Sequence, residues 1–368
     1  MKIATILGTR PEIIRLSPII PKLDRHADHL LIHTGQNSTT SLSDVFFAEL
    51  GLRAPDHFLG IVESNFARQI GRIMSECHDI LVAERPDRLL VLGDTNSALS
   101  AVVAKRLGIP VFHMEAGNRC FDPRVPEEVN RRIVDHVSDI LLPYTERSRQ
   151  NLLREGFSGD RVYVTGNPIY EVMQANAARI DGAQVLKLLG LTEKRYFLVT
   201  LHRAENVDLP NRLTGFAEAF RALSRAFGLP IIVSTHPRTR ARLKSSDVAG
   251  VEDIRFLEPF GFFDFVALER NAGCVLTDSG TVQEECAILG VPNVTLRDVT
   301  ERPETIECGS NMLTGAEVDA IVSAVKVTLA SPPGWVPPPE YLAPAVSDTV
   351  LRIVTGYVHG LPAGGGRT

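Results

Sequence analysis

Cysteine is scarce in this sequence and poorly placed for chemistry. The 368 residues include five, Cys77, Cys120, Cys274, Cys286 and Cys308. An odd count with no CxxC spacing argues against a disulfide framework and against a zinc site. No apolar run approaches the ~20 residues that a membrane span needs. The opening MKIATILGTRPE holds too short an apolar stretch for a signal-peptide core. Long runs of one charge are also missing. With 39 Lys and Arg against 44 Asp and Glu, the net charge is -5, which leaves no basic footprint for nucleic acid. GxGxxG, GxxxxGK[ST] and GxSxG do not occur, which disfavours a nicotinamide cofactor, a P-loop NTPase and a nucleophile-elbow hydrolase. The expectation is a soluble cytoplasmic protein with no cofactor, no metal, no nucleic-acid partner and no membrane partner.

What is present is a globular composition, 44% hydrophobic and 23% charged, in a chain long enough for two domains. Short β-branched runs at Ile3–Leu7, His29–His33, Leu89–Leu92, Val111–Met114 and Ile140–Pro143 read as buried parallel strands. Ser97–Leu107 and Glu127–Val137 between them have helical spacing. The pattern restarts after about residue 170, with strand candidates at Tyr196–Leu201, Ile231–Thr235, Ile254–Leu257, Cys274–Thr277 and Asn293–Leu296. Repeated βα units on this scale predict an α/β protein of two doubly wound domains. Gly166-Asn167-Pro168 marks the boundary region, SPPGWVPPP (Ser331–Pro339) reads as a rigid connector, and a last amphipathic helix follows near Ser347–Val358. The division expected is residues 1–170 with 346–368 as one domain and 171–345 as the other.

In doubly wound sheets ligands bind outside the carboxyl ends of the strands, so the polar residues that follow each strand are the ones to question. GTRPE (Gly8–Glu12) follows the first strand; Arg10 and, a turn later, Arg15 are placed to face a phosphate or carboxylate. GDT (Gly93–Thr95) puts Asp94 at the end of an apolar strand, where it is either a helix cap or a catalytic carboxylate. HMEAGNR (His113–Arg119) places Glu115 one strand over, and PEEVNR (Pro126–Arg131) opens a helix with Glu127 and Glu128 in its first turn. Acids there ordinarily complement the helix dipole. Three carboxylates on one rim exceed what capping requires, and paired acids in one cleft can divide into an acid and a base.

In the second half, LHRAEN places His202 at a strand end, and THPRT repeats the arrangement with His236 and Arg238, a cationic wall suited to an anion. TDSGTVQEE (Thr277–Glu285) is the strongest local signal. A strand ends in Asp278, and Ser279, Gly280 and Thr281 lead into a helix whose first N–H groups suit a diphosphate. Glu285, a turn further on, is placed for ribose hydroxyls, and TERPET adds Glu301 and Arg302. Phe265 is either a base-stacking ring or a core residue.

GTRPE, GDT, MEAG, PEEVNR, HR-E, DSG-QEE and ERPE, in this order and spacing, resemble the non-hydrolysing UDP-N-acetylglucosamine 2-epimerases over about residues 3–330. The resemblance implies two Rossmann-like domains of glycosyltransferase-B type, with the active site in the interdomain cleft, and a homodimer. It implies epimerisation at C2 of a UDP-N-acetylhexosamine, UDP-GlcNAc to UDP-ManNAc, by elimination of UDP to 2-acetamidoglucal and re-addition. By motif matching, Asp94, Glu115, Glu127 and His202 are catalytic. Arg10, Arg15, His236, Phe265, Ser279, Gly280, Thr281, Glu285 and Arg302 bind the UDP-sugar. The sequence departs from the family pattern at Asn37 (TGQN for TGQH), at Arg15 for a usual lysine and at Thr281 for a usual second glycine. TGQN...VFFAELGL and MEAGNRCFD look closer to a subgroup that forms UDP-N-acetyl-L-fucosamine from its talose epimer. The rival readings are a glycosyltransferase of the same fold, a hydrolysing epimerase and a binding protein that has lost catalysis. The intact Asp94, Glu115, Glu127 and His202 favour the epimerase.

Overall fold

The computed structural model describes residues 1–36, 40–63, 65–207, 209–235, 253–331 and 333–357. They form two compact units, Met1–Val172 with residues from Glu340 onward, and Met173–Pro339.

The first unit has a six-stranded sheet: β1 (Lys2–Leu7), β2 (Asp28–His33), β3 (His57–Phe58), β4 (Arg88–Leu92), β5 (Val111–Met114) and β6 (Ile140–Leu142). Every pairing is parallel and the order is β3-β2-β1-β4-β5-β6. Helices cover both faces of such a sheet, which is why Leu89–Leu92 is an unbroken apolar run and every residue of β4 is buried. Ile6, Ile32, Leu89, Val91 and Val111 meet Cys77 and Leu81 of α2 (Phe66–Glu84) in one core. Ahead of it lies α1 (Arg10–Leu16); after it come α3 (Ser100–Arg106), α4 (Pro126–Val137) and α5 (Glu146–Arg154). The helix predicted over Ser97–Leu107 is in fact a 3-10 turn, Asn96–Leu99, that tightens into α3. The short edge strands, β3 here and β12 below, escaped the sequence reading because they are partly exposed and lack the buried apolar run of the inner strands.

The second unit repeats the plan with β7 (Phe197–Thr200), β8 (Ile231–Ser234), β9 (Ile254–Leu257), β10 (Cys274–Thr277), β11 (Asn293–Thr295) and β12 (Asn311–Leu313). Its order is β12-β11-β10-β7-β8-β9, again all parallel. Counted within the unit, this is the same strand order as in the first. Its own core gathers Phe197, Val199, Ile231, Leu276 and Val294 against Phe216 and Phe220 of α6 (Pro210–Phe227). Two further helices, α7 (Phe262–Asn271) and α8 (Gly280–Leu289), flank β10 in sequence, and α9 (Val318–Ala330) precedes the proline-rich segment. Trp335 in that segment is tied by its indole N–H to the carbonyl of Ala287, 3.0 Å away.

The last helix, α10 (Val346–Thr355), belongs to the first unit. Glu171 accepts the Ser347 backbone N–H at 2.9 Å, Lys22 pairs with Asp348, and Arg88 donates to the carbonyl of Val354. Both ends of the helix are therefore pinned to earlier parts of the same unit.

Candidate active site

The order of the first sheet reverses between β1 and β4, and the loops that leave those two strands are GTRPE and GDT. This is the switch point at which doubly wound sheets bind ligands. Gly8 has no room for a side chain, since a Cβ there would lie 2.1 Å from Thr34 Oγ1 and 2.2 Å from Ser97 Oγ. Glu12 folds back over the turn. Its Oε2 accepts from the N–H groups of Gly8 (3.0 Å) and Thr9 (2.7 Å) and from the Thr9 hydroxyl (2.8 Å). Its Oε1 accepts from Thr95 Oγ1 at 2.9 Å, so one buried carboxyl ties the two loops together. Burial pushes this acid up to about 7, outweighing the donors from Thr9, Gly8 and Thr95.

Asp94 and Glu115 stand on neighbouring strand ends. Asp94 Oδ2 accepts from Arg131 Nε (3.0 Å) and Nη2 (2.5 Å), and its backbone carbonyl accepts from Asn130 at 3.0 Å. Glu115 is buried, with its backbone in the left-handed region at φ 65°. A residue with a side chain is strained there by about 1–2 kcal/mol, and such outliers persist where the surroundings hold them in place. The carboxylate takes Arg15 Nη1 on Oε2 and Asn118 Nδ2 on Oε1 at 3.2 Å. Its Oε2 also lies 3.8 Å from where a Cβ of Gly93 would be. Glu115 therefore sits directly beside the turn that carries Asp94.

Glu127 is half-buried in the first turn of α4, four residues before Arg131, so it shares the helix face that grips Asp94. Its neighbour Glu128 is spent on structure. It accepts the Cys120 N–H (3.0 Å), Arg131 Nη1 (2.8 Å) and Arg132 Nη2 (3.0 Å). Burial would raise its pKa, but the Cys120 N–H and the two guanidinium groups prevail and lower it.

The second sheet reverses between β10 and β7, where the DSG and HRAE loops emerge. Asp278, fully buried, is the hub of this pair. It accepts the N–H groups of His202 (3.0 Å) and Arg203 (2.9 Å), Asn206 Nδ2 (3.1 Å) and His202 Nδ1 (2.9 Å). Burial works against its charge, yet the charge and hydrogen bond of His202 and the two N–H groups hold it down to about 2. The imidazole of His202 is 52% exposed and anchored through Nδ1. Ser279 caps α8, and its N–H goes to Thr277 Oγ1 at 3.0 Å. Gly280 and Thr281 contribute the first-turn N–H groups that precede the helix ladder. Arg302 is buried beside them, 3.6 Å from where a Gly280 Cβ would stand, and is paired through Nε with Glu284.

The fold thus brings Arg15, Asp94, Glu115 and Glu127 to one sheet edge, and His202, Ser279, Gly280, Thr281 and Arg302 to the other. Arg10 is exposed, its guanidinium 5.5 Å from the Phe46 ring centroid. Phe265 lies in a helix buried almost all round and is itself a core residue, 9% exposed. Glu285 is buried on α8 beside Glu269, whose carboxyl is pushed well above the usual range by burial and by the charge of Glu285. His236, Arg238 and Asn37 lie outside the described residues.

The sequence reading passed over Glu12, Arg131 and Arg297. The capping-box spacing Thr9-x-x-Glu12 was a usable signal for the first. Arg297 is almost wholly buried, holds Glu301 at 2.7 Å and lies 3.5 Å from Glu205. It ties the ERPE segment to the HRAE loop, and nothing in its sequence neighbourhood announces this. Among the described residues no three His, Cys, Asp or Glu side chains form a metal-binding group, and no helix is long and apolar enough to cross a membrane.

Two doubly wound parallel sheets in one chain, each with its polar residues at the switch point, define the glycosyltransferase-B-like class of two Rossmann-like domains. Residues 21–354 match the model of the UDP-N-acetylglucosamine 2-epimerase family. The chain is 42% identical over 364 residues to the UDP-N-acetylglucosamine 2-epimerase of Methanocaldococcus jannaschii, covering 96% of this chain and 99% of that one. A crystal structure of the M. jannaschii enzyme in complex with UDP-GlcNAc and UDP superposes with a TM-score of 0.91 at 41% identity, covering 96% and 99% of the two chains. The UDP-2,3-diacetamido-2,3-dideoxy-D-glucuronate 2-epimerase of Pseudomonas aeruginosa is 38% identical over 89% of this chain and 92% of its own. The chain belongs to the UDP-N-acetylglucosamine 2-epimerase family, and it is an epimerase.

Proposed function

We propose that this enzyme interconverts UDP-N-acetylglucosamine and UDP-N-acetylmannosamine without hydrolysis. The observation that carries the reading is the carboxylate set Asp94, Glu115 and Glu127 at the carboxyl edge of the first sheet, each acid held by its own cation or helix position. The proton on C2 is not acidic, so the C1–O bond must break as that proton leaves. The bond's electron pair goes to the β-phosphate oxygen of UDP, the C2 proton goes to a carboxylate, and 2-acetamidoglucal results. Re-addition forms the C1–O bond again while a second acid delivers a proton to the opposite face of C2, so that no atom is gained or lost. Two acids on opposite sides of one carbon suit this exchange.

Glu115 and Glu127 are assigned to proton transfer and Asp94 to support, because Asp94 is clamped by Arg131. UDP is assigned to the second unit. His202, anchored through Asp278, meets the leaving diphosphate, with Ser279, Gly280 and Thr281 beside it; His236 is assigned to the same diphosphate on its THPRT motif alone. Glu285 is assigned to the ribose, Phe265 to backing the uracil pocket from within the core rather than stacking on the base, and Arg10, Arg15 and Arg302 to the charge balance of phosphates and carboxylates. The family resemblance supports a homodimer working in the cytoplasm, which light scattering and fractionation test.

The decisive experiment is proton NMR of the purified enzyme with UDP-GlcNAc in D2O, without added NAD or metal. Deuterium at C2 together with a UDP-ManNAc signal is expected. Release of free ManNAc would make the enzyme hydrolysing. No exchange with UDP-GlcNAc, but exchange with the diacetamido-glucuronate on which the P. aeruginosa relative is named to act, would move the substrate to that class.

A further inference from the structure

Beneath the two loops that carry Asp94 and Glu115 lies an ionic cluster in which His113, Asp135 and Arg119 are buried and Glu155 is half-buried. His113, on β5, is fully buried. Its Nε2 lies 2.8 Å from the carbonyl of Gly93, the residue before Asp94, and its Nδ1 lies 2.8 Å from Asp135 Oδ1 on α4. Asp135, equally buried, also takes Arg119 Nη1 at 2.8 Å and the Gly117 N–H at 3.2 Å. Arg119 in turn grips Glu155 at 2.8 and 2.6 Å. A peptide carbonyl only accepts, and a carboxylate already receiving two donors is an acceptor too. Both ring nitrogens must therefore donate, and the cluster balances two cations, His113 and Arg119, against two anions, Asp135 and Glu155.

We propose that His113 is a positioning residue, held as an imidazolium, that fixes the backbone behind both catalytic loops. Gly93 has its N–H on the Met114 carbonyl at 3.0 Å and its own carbonyl on His113, so both polar groups of the residue leading to Asp94 are spent. Asp135 carries the same constraint to Gly117, two residues beyond Glu115. Gly117 stands at φ 80° in a site where a Cβ would lie 2.3 Å from the Ser148 carbonyl oxygen. A ring with one proton would release either Gly93 or Asp135. The strained Glu115 and its neighbour Asp94 are thus set by one charged side chain, in an environment where a misplacement of about 1 Å can cost ~10²-fold in rate. The inference rests on the reading of Asp94 and Glu115 as the reacting carboxylate set.

The test uses two variants of the full-length protein. His113→Asn keeps a donor near the Nδ1 position and loses the tie to Gly93; His113→Gln keeps a donor near the Nε2 position and restores it. His113→Asn is expected to lower kcat by about 10²-fold, with KM and UDP affinity changed less than about threefold, and His113→Gln to recover at least about tenfold of that loss. Ring ¹⁵N NMR of the wild type, at a pH where exposed imidazoles are neutral, should show a histidine with both nitrogens protonated, a signal missing from either variant. Equal kcat for the two variants, a parallel fall in UDP affinity, or a singly protonated ring overturns the proposal. If the wild type fails to turn over UDP-GlcNAc, the substrate reading fails; the ring signal, and a displaced Asp94 in crystals of His113→Asn, then decide the positioning role separately.

Discussion

The guanidinium of Arg15 closes onto the carboxylate of Glu115, and both side chains are out of solvent. The pair joins the first helix to the fifth strand across the sheet's switch point, and it fixes the charge of an acid whose backbone is already strained. Glu115→Gln keeps the shape and the Asn118 contact but removes the carboxylate proposed as proton acceptor. Turnover should fall by at least about 10²–10⁴-fold, the range for losing a general acid or base, while UDP affinity by calorimetry stays within about threefold. Unchanged turnover would remove Glu115 from the proton-transfer set.

Arg15→Met tests the other half of the pair. It leaves Glu115 buried without its cation, which typically destabilises by about 3–5 kcal/mol. The urea midpoint should drop accordingly, and Arg15→Lys should restore most of it. A midpoint equal to the wild type would mean that Glu115 had found another partner.

Glu12 makes stability depend on pH in a direction opposite to the usual carboxylate. Its folded pKa is raised, to about 7 against an ordinary 4.5. The stability it contributes is complete below the ordinary value and disappears as pH rises through 7, amounting to roughly 3 kcal/mol by linkage. Glu12→Gln should flatten the stability curve between those two values when unfolding is followed by urea titration at half-unit steps. An identical slope in the variant would assign the effect elsewhere.

Asp278 has the opposite sign. Its folded pKa is depressed, to about 2 from 3.8, so its contribution is present above the ordinary value and is lost as pH falls from there towards 2. Asp278→Asn should cost about 3–5 kcal/mol at neutral pH, since a buried acceptor of two N–H groups, an amide and an imidazole is removed. The same variant should lower UDP affinity through the unanchored His202. Retained UDP binding would separate His202 from the diphosphate.

Two glycines offer a matched comparison. Gly117 and Gly156 both have φ far into the left-handed side, at 80° and 92°, but only Gly117 faces a 2.3 Å clash; nothing lies within 4 Å of a Cβ at Gly156. Gly156→Ala should cost about 1 kcal/mol from backbone strain alone. Gly117→Ala should cost at least ~3 kcal/mol more than that and abolish turnover. Equal midpoints for the two would show that α5 moves aside freely.

The strands were legible because a sheet covered on both faces needs short, mostly apolar runs, and Val111–Met114, Ile254–Leu257 and Cys274–Thr277 begin and end where the residues say, even with His113 and Arg255 inside two of them. The strand-end carboxylates were legible because polar residues directly after such runs stand out. Their partners were not. Arg131 reaches Asp94 from 37 residues away, and no local pattern records a contact closed by the fold. Asp278 read as the end of a strand, whereas its four donors come from His202, Arg203 and Asn206, more than 70 residues earlier. Phe265 and Glu285 sit on helices whose buried faces are too wide for helical periodicity to tell core from surface.

The last helix carries one further consequence, for the order of synthesis. α10 completes the first unit, yet all of Met173–Pro339 is translated before it. At ~5–20 residues per second the ribosome needs on the order of ten to thirty seconds to make that stretch. Throughout that interval Lys22, Arg88 and Glu171 wait without the helix they will hold. The second unit can close around its own core as soon as it emerges, so the part of the chain made first is the part finished last.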